Sequence, residues 1–315
     1  MKLEELKSVS PGMVEKLNEI GVVSVESLIV KGINEVKTLL PEVDERELKD
    51  VFLEAWRKKG FWMMTAAEFA ELEKERLVFS TGSKALNEIL GGGLWSWNVA
   101  EFYGEMGVGK SQVLMTAIVE ALVQNQNFAG VYIDAEGTCR ESRIAEIAQK
   151  RGYDPEDIRK RLIFLPSVGT EILYEIVNRL PLTIEAKNVK IICVDSLVSP
   201  FRAEYIGREM LAPRQQAILR VADKLRTMAR TYNLAVAISN QVLAQPTGVQ
   251  VFGGFEYKPT GGFVLGHLSE PRVWVRRAQG MRRIARLVDS SWLPEKECLF
   301  TISDKGIEDV LSSQP

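Results

Sequence analysis

A glycine-rich stretch about one third of the way along the chain constrains its fold more than any other feature. It follows an apolar run at 99–103, precedes a helix-like run that starts at 112, and reads Gly104-Glu105-Met106-Gly107-Val108-Gly109-Lys110-Ser111. A strand, G-x-x-x-x-G-K-S and a helix in this order are typical of the phosphate-binding loop of nucleotide-binding proteins. Glycines let successive backbone N–H groups point at phosphate oxygens, and the helix N-terminus adds positive potential. The stretch predicts a nucleotide site, and the alternative is a glycine-rich turn before an ordinary helix.

The chemistry of this loop indicates a nucleotide with β- and γ-phosphates and Mg²⁺ as cofactors, and the resemblance described below implies that the nucleotide is ATP. Lys110 can reach the β- and γ-phosphates, so we expect it to bind nucleotide and to assist catalysis, and the Ser111 hydroxyl can bind Mg²⁺. The expected nucleotide contacts in this part of the chain are Gly104, Glu105, Met106, Gly107, Val108, Gly109, Lys110, Ser111 and Gln112.

Three further apolar runs end in acidic or amide side chains. With the polar residues that follow them, these runs are 130–136, 189–195 and 234–241. Buried parallel strands bring such side chains to one edge of a sheet. Glu136 can deprotonate or orient a water that attacks the γ-phosphate, and Asp195 can hold Mg²⁺ through its water shell. Gln241 can sense the γ-phosphate. The alternatives are that Glu136 only caps a helix and that Gln241 lies in a plain turn.

The order of strands and helices predicts an α/β fold with a mostly parallel central sheet. Helix-like segments at 140–150, 170–180 and 214–232 alternate with the strands, which is the pattern of a sheet wound with helices. Residues 1–59 contain short helices only, so we divide the chain into a helical domain at 1–59, a linker at 60–79 and an ATPase core at 80–315.

Composition excludes several classes of protein. The 40 Lys and Arg residues against 42 Asp and Glu leave a net charge of −2, so nucleic-acid binding has to come from local patches. Three scattered cysteines without a C-x-x-C pair do not favour a disulfide framework or a zinc site, and the single histidine excludes a histidine-based metal site. No apolar run approaches the ~20 residues of a membrane span, so we expect a cytoplasmic protein that does not enter membranes.

From about 79 to 309 the sequence resembles the archaeal RadA recombinases of the RecA/RadA superfamily. The most specific pieces are the phosphate-binding loop, 134–138, 201–216 and 283–289. The resemblance implies a RecA-like P-loop core preceded by a helix-hairpin-helix-like domain. It also implies a nucleoid-associated, DNA-dependent ATPase of DNA repair and homologous recombination, which forms filaments on single-stranded DNA and exchanges strands with double-stranded DNA. The alternative is a RadA paralogue that hydrolyses ATP and regulates a recombinase without exchanging strands itself.

The resemblance also assigns roles to single residues. Glu136 matches the catalytic glutamate of the family, Arg143 the arginine that stacks on adenine, and Pro259 the cap on ATP bound to the adjacent subunit. A solvated helix arginine is the alternative for Arg143. The implied DNA contacts in the two loops that follow Asp195 and Gln241 are Arg202, Arg208 and Arg214 in the first and Gly253 and Gly254 in the second. Phe201 and Tyr205 in the first loop offer possible stacking faces.

Self-association into a filament or ring depends on the linker. Met63 and Ala66 fall where the family has a Phe-x-x-Ala segment that docks into the neighbouring subunit, and the alternative is a hydrophobic contact with this chain's own core. Other recombination proteins are further candidate partners. The turn at 8–12 has serines where the family has glycines, so DNA binding by this domain competes with a packing or partner-docking role.

A cluster of six arginines lies between residues 272 and 286. An apolar run at 273–275 between them predicts a hairpin of strands with a basic outer face. The functional interpretation is a surface that faces DNA or the phosphates of a neighbour's nucleotide, and the alternative is a solvated strand face.

Overall fold

A computed structural model of the chain describes residues 1–244 and 257–310. Within these residues no helix has the combined length and apolar character of a membrane span.

The N-terminal residues form a helical module with a core of its own. A 3-10 turn at Leu3–Glu5 precedes four helices: α1 (Pro11–Glu19), α2 (Val25–Lys31), α3 (Ile33–Leu39) and α4 (Glu45–Lys58). Ser10, Ser24 and Asp44 accept hydrogen bonds from first-turn N–H groups of α1, α2 and α4, which satisfies donors that the helices leave unpaired. Leu17, Phe52 and their apolar neighbours are buried in a cluster separate from the sheet.

The linker contains a short helix and contacts between aromatic and arginine side chains. Thr65 caps α5 (Ala66–Glu73). The Arg230 guanidinium lies over the rings of Phe61 and Trp97, at 5.5 and 5.9 Å, and Arg76 lies over Trp97 and Trp95, at 5.3 and 5.2 Å. Each such pair contributes about 0.5–1 kcal/mol when exposed and more when desolvated, so this series of contacts holds the linker against the core.

The core alternates strands and helices, as the sequence predicts. Its helices are α6 (Lys84–Ile89), α7 (Lys110–Gln124), α8 (Glu141–Lys150), α9 (Pro155–Arg161), α10 (Gly169–Lys187), α11 (Ser199–Glu204), α12 (Leu211–Thr231) and α13 (Gly262–Leu268). Its strands are β1 (Val78–Phe79), β2 (Leu94–Trp95), β3 (Val99–Gly104), β4 (Ala129–Asp134), β5 (Leu162–Pro166), β6 (Val189–Asp195), β7 (Ala235–Ala244), β8 (Tyr257–Pro259), β9 (Arg272–Arg277), β10 (Arg282–Asp289), β11 (Lys296–Ser303) and β12 (Gly306–Asp309).

Ten of the described strands form one sheet. Its order is β12-β11-β10-β9-β3-β7-β6-β4-β5, and β8 pairs with β7. The pairs from β9 to β5 are parallel, whereas β9 to β12 pair antiparallel. One apolar cluster packs α7 and α8 on one face, and a second packs α10 and α12 on the other. The predicted α/β fold with a mostly parallel central sheet is confirmed.

The helical module packs against the second face of the core. Lys224 on α12 pairs with Glu35 on α3 at 2.9 Å, and Ser24 and Tyr232 both donate to the carboxylate of Glu185. Burial, with the Glu185 hydrogen bond, raises the pKa of the Tyr232 hydroxyl well above its ordinary value. Tyr232 therefore stays a neutral donor, and the module has polar as well as apolar contacts with the core.

Candidate nucleotide-binding site

The loop at 104–109 has a backbone path that glycine alone allows at three points. Gly107 and Gly109 have φ angles of +76° and +106°, which side chains other than glycine rarely adopt. A Cβ on Gly104 would lie 2.1 Å from the carbonyl oxygen of Val275 on β9. The loop thus keeps its backbone exposed to a ligand between β3 and the first turn of α7, which fits a phosphate group.

Lys110 is the first residue of α7 and its ammonium group points back into the loop. It donates to the carbonyl oxygens of Gly104 at 3.0 Å and Glu105 at 2.8 Å, and only 8% of the residue is exposed. Burial lowers the pKa of Lys110, while the charges of Glu136 and Asp195 act in the opposite direction. A phosphate in the loop would bring negative charge to this buried ammonium and so favour its charged form.

Strand register brings the other predicted polar residues to the same edge. Gly104 pairs with Gln241 across β3 and β7, and Asp134 pairs with Asp195 across β4 and β6. The N–H of Glu136 donates to the Asp195 carbonyl oxygen. The ends of four parallel strands therefore contribute to one site.

Asp195 is almost fully buried at the tip of β6. Its carboxylate accepts from the hydroxyl of Tyr132 at 2.8 Å and from that of Ser239. The Ser111 hydroxyl lies on the first turn of α7, where it is partly exposed. Hydroxyl and carboxylate oxygens are ligands that suit Mg²⁺, so the donor set fits this ion.

Glu136 and Gln241 are in direct contact. The Gln241 side-chain amide donates to a Glu136 carboxylate oxygen at 2.9 Å, and its carbonyl oxygen accepts from Arg202 at 3.2 Å. Sequence reasoning grouped Arg202 with the DNA contacts. The structure instead directs its guanidinium towards Gln241, the β7 residue that pairs with Gly104 of the phosphate-binding loop.

A buried polar network lies beneath the loop, and sequence reasoning missed it. Glu101 is fully buried and accepts from Asn240 at 2.7 Å and Arg272 at 2.6 Å. Thr260 bonds to Asn240 through its hydroxyl and to the Gln241 carbonyl through its N–H. The signal was present in the sequence, since Glu101 is a charged residue inside an apolar strand. This network fixes Pro259, the residue before Thr260, next to the tip of β7.

Arg143 lies beside the start of α7. Its guanidinium donates twice to the Gln112 side-chain oxygen, at 3.0 and 2.9 Å, and also bonds the Ser303 and Asp304 carbonyls. These contacts argue against the alternative of a solvated helix arginine, and they bring together two of the expected nucleotide contacts.

The first candidate DNA loop differs in one respect from its expected chemistry. Phe201 is fully buried and packs against Tyr174 and Tyr205, so it has no free face for stacking on a base. Arg208 is exposed and Arg214 is partly exposed. Gly253 and Gly254 of the second loop lie outside the described residues.

The predicted hairpin at 272–289 is present as β9 and β10, but its arginines are directed inward more than expected. Arg283 donates to the Val108 carbonyl at 3.0 Å, and Arg277 approaches the Gly107 carbonyl at 3.4 Å. Three more arginines form salt bridges with acids from other parts of the chain. The pairs are Arg272 with Glu101, Arg276 with Glu297, and Arg286 with Glu295. The expectation of a basic outer face was therefore wrong in part, because acids outside 272–286 pair with three of the arginines and two others bond to carbonyl oxygens of the phosphate-binding loop.

The linker residues predicted for self-association are exposed. Met63 is 85% exposed and Ala66 is exposed, so neither packs on the core of this chain. Phe61 instead makes the hydrophobic contact with this chain's own core that was the alternative for this segment.

β5 is the last strand at one edge of the sheet, and Phe164 and Val168 are exposed there.

The amides of Lys7 and Ser8, where the turn at 8–12 begins, are bonded within the helical module. The N–H groups of Lys7 and Ser8 donate to the Glu54 carboxylate at 2.9 Å each, and the Ser8 hydroxyl donates to it at 2.6 Å. A carboxylate of this chain therefore occupies donors that could otherwise approach a DNA phosphate.

A comparison with models of protein families identifies the family of this chain. The model of the Rad51 family matches residues 73–310. This chain belongs to the Rad51 family. The match begins within the linker and covers all of the core strands, so the Rad51-family region contains the nucleotide-site residues described above, from Gly104 to Pro259.

Curated relatives extend the likeness to nearly the whole chain. The DNA repair and recombination protein RadA of Ignicoccus hospitalis is 37% identical over 97% of this chain and 94% of its own length. RadA of Aeropyrum pernix is 34% identical over 98% and 96%, and the meiotic recombination protein DLH1 of Candida albicans is 32% identical over 96% and 95%. Similarity therefore includes the helical module as well as the Rad51-family core.

Proposed function

We propose that this chain is an ATP-dependent recombinase that assembles on single-stranded DNA and pairs it with homologous double-stranded DNA in recombination and repair. Members of the Rad51 family are ATPases that bind DNA and form filaments. The observation that carries the proposal for this chain is the direct contact of Glu136 with Gln241 beside an intact phosphate-binding loop. RadA relatives named for DNA repair and recombination support the biological role.

ATP hydrolysis is assigned to residues at the edge of the sheet. Loop residues 104–112 would bind the phosphates, with Lys110 neutralising their charge and Arg143 beside the base. Glu136 would take the proton of the attacking water, whose oxygen bonds to the γ-phosphorus as the bond to ADP breaks. Gln241 would report whether the γ-phosphate is present. Mg²⁺, held by the Ser111 hydroxyl and through water by Asp195, would supply positive charge at the phosphate oxygens.

DNA binding is assigned to the loops beside this site. Arg208 and Arg214 are accessible to phosphates, and Gly253 and Gly254 of the second loop remain candidate contacts. Because such contacts release counterions, binding should weaken steeply with salt and depend little on sequence.

Self-association is assigned to the exposed linker segment. Met63 is flexible and polarisable enough to fill an apolar pocket, and Ala66 is accessible beside it. The open edge at β5, with Phe164 and Val168 exposed, is an acceptor of suitable chemistry in a second copy, since an edge strand offers unpaired backbone groups. Pro259 would then contact nucleotide bound to the adjacent subunit.

A second candidate function is a paralogue that hydrolyses ATP and regulates a recombinase without exchanging strands. The observation that favours it is the Glu54 carboxylate on the amides of Lys7 and Ser8, which removes donors that a DNA-binding module would need. Under this proposal the helical module would pack or dock a partner rather than bind DNA.

Three measurements on the full chain separate these candidates. The rate of ATP hydrolysis with and without single-stranded DNA shows whether DNA stimulates the ATPase. Electron microscopy shows whether the chain forms filaments, and a strand-exchange assay shows whether it pairs and exchanges homologous strands. The recombinase proposal expects all three to be positive. Stimulated hydrolysis without strand exchange would favour the paralogue, and absence of both DNA stimulation and filaments would exclude the recombinase.

A further inference from the structure

We propose that Arg202 is a positioning residue that couples the first candidate DNA loop to ATP hydrolysis by holding Gln241 against Glu136 until DNA binds. We call Glu136, Gln241 and Arg202 the coupling triad. The inference rests on the proposed function, since it assumes that Glu136 acts on the attacking water. It differs from a plain DNA-contact role for Arg202, because it predicts an effect on hydrolysis when no DNA is present.

The hydrogen-bond chemistry of the coupling triad permits one arrangement only. Arginine has donors and no acceptor, whereas an ionised carboxylate has acceptors only. Gln241 lies between them, accepting from Arg202 at 3.2 Å and donating to Glu136 at 2.9 Å. Arg202 thus fixes which end of the amide faces the carboxylate, and the amide cannot turn over without losing both bonds.

The helix that carries Arg202 is held firmly on its other side. Phe201 is fully buried against Tyr174, and the Glu204 carboxylate accepts from the N–H of Thr170 at 2.7 Å and from its hydroxyl. α11 follows four residues after Asp195, so its position is set by the same strand that brings Asp195 to the site. These contacts fix the helix backbone from which the Arg202 side chain reaches Gln241.

The bond from Gln241 has a chemical consequence for Glu136. The Gln241 amide occupies one of the Glu136 carboxylate oxygens, which leaves fewer acceptor positions for the attacking water. It also keeps the Gln241 amide turned to the carboxylate. Both effects withhold Glu136 from the attacking water and Gln241 from the γ-phosphate as long as Arg202 stays in place.

A DNA phosphate is a stronger acceptor for Arg202 than a neutral amide oxygen. A phosphate oxygen carries a negative charge that the amide oxygen lacks, so its hydrogen bonds with guanidinium gain the attraction of an ion pair, and they can be bidentate. Arg208 lies six residues further along the same loop and is exposed, so DNA held there would bring phosphates near Arg202. Transfer of Arg202 to phosphate would release Gln241 and Glu136 for hydrolysis.

The test compares Arg202→Met with a matched control, Arg179→Met. Arg179 is exposed on α10 and pairs with Glu175, far in sequence from the coupling triad. ATP hydrolysis of the full chain is measured at saturating ATP without DNA and with a saturating dT oligonucleotide, and DNA affinity is measured by fluorescence anisotropy. Arg202→Met should raise the DNA-free kcat several-fold, reduce the ratio of stimulated to DNA-free rate towards one, and leave KM for ATP within about twofold. Arg179→Met should change none of these.

A second variant keeps the test decisive if Arg202→Met folds poorly. Arg202→Lys keeps the charge but offers a single donor group without the planar fork. Its ratio of DNA-stimulated to DNA-free hydrolysis rate should therefore lie between those of the parent and Arg202→Met. An unchanged or lower DNA-free kcat in a folded Arg202 variant would overturn the coupling role, even if DNA affinity falls. A parent chain that does not hydrolyse ATP would instead overturn the proposed function, and the coupling role with it.

Discussion

The amide of Gln241 donates to the carboxylate of Glu136 at 2.9 Å, although 105 residues separate them in the chain. The contact follows from strand order, because β7 lies between the strand of the phosphate-binding loop and the strand of Asp195. Parallel pairing then brings the ends of β3, β7, β6 and β4 to one edge, where ligands of open α/β sheets bind. The candidate base and the candidate sensor are therefore adjacent at this edge.

Glu136→Gln should retain ATP binding and abolish turnover. A glutamine at 136 keeps an oxygen that can accept from Gln241, so the local structure should survive, but it cannot take a proton from water. General-base catalysis contributes typically 10²–10⁴-fold, and a loss of that size in kcat is the expected result. Nucleotide affinity, measured by equilibrium binding of a fluorescent ATP analogue, should stay within a fewfold of the parent. Hydrolysis at the parent rate would show that Glu136 is not the base.

Gly104→Ala should destabilise the core, whereas Gly12→Ala should not. The new Cβ at 104 would meet the Val275 carbonyl at 2.1 Å, so β9 would have to move away from β3. Overpacking of this kind costs about 1–3 kcal/mol. At position 12, in the first turn of α1, a Cβ meets nothing within 4 Å, and alanine favours the helix. Thermal unfolding of both variants checks this, and an equal Tm for the two would contradict the close approach of β9.

Local motifs made the phosphate-binding loop predictable, whereas contacts between distant segments were not. Residues 104–111 carry their own backbone requirement, and an apolar strand that ends in Asp195 indicates its place in a sheet. The Arg202–Gln241 bond depends on how α11 packs, and no local pattern encodes it. The sequence predicts a helix at 170–180, and Pro181 is a residue that usually stops a helix. α10 instead continues to Lys187, because Pro181 and Ile184 extend its buried face.

Met63→Glu should weaken self-association and Met63→Phe should strengthen it. Met63 is 85% exposed in the single chain, so a charged replacement costs little there but would be buried without a partner in an assembly. Leu39→Glu is the matched control, because Leu39 is also exposed, at 47%, and lies outside the linker, on α3 of the helical module. Analytical ultracentrifugation of the three variants with ATP measures the effect. Equal assembly of Met63→Glu and Leu39→Glu would remove Met63 from the interface.

The helical module should lose stability in acid through Glu54. Burial raises the pKa of this carboxyl, but the hydrogen bonds from Ser8 and Lys7 and the charge of Lys58 outweigh burial, so the pKa lies below its ordinary value of 4.5. A carboxyl with a lowered pKa in the folded state stabilises the protein above its unfolded pKa, and this contribution is lost as the pH falls through the folded pKa. The Glu54 contribution should therefore be complete above about pH 5 and should fade below pH 4.5. Solvent screens this partly exposed group, so we expect about 1 kcal/mol.

Glu54→Gln is the variant that isolates this effect. Glutamine can still accept a hydrogen bond but carries no charge, so the Tm difference between parent and Glu54→Gln should be largest above pH 5 and should shrink below pH 4.5. Glu15→Gln removes the same charge from an exposed site on α1 of the same module and controls for net charge. Thermal unfolding followed by circular dichroism between pH 3.5 and 7 gives the comparison. A difference that stays constant across this range would mean that the bonds from Lys7 and Ser8 do not depend on the charge of Glu54, and that the turn is held by packing alone.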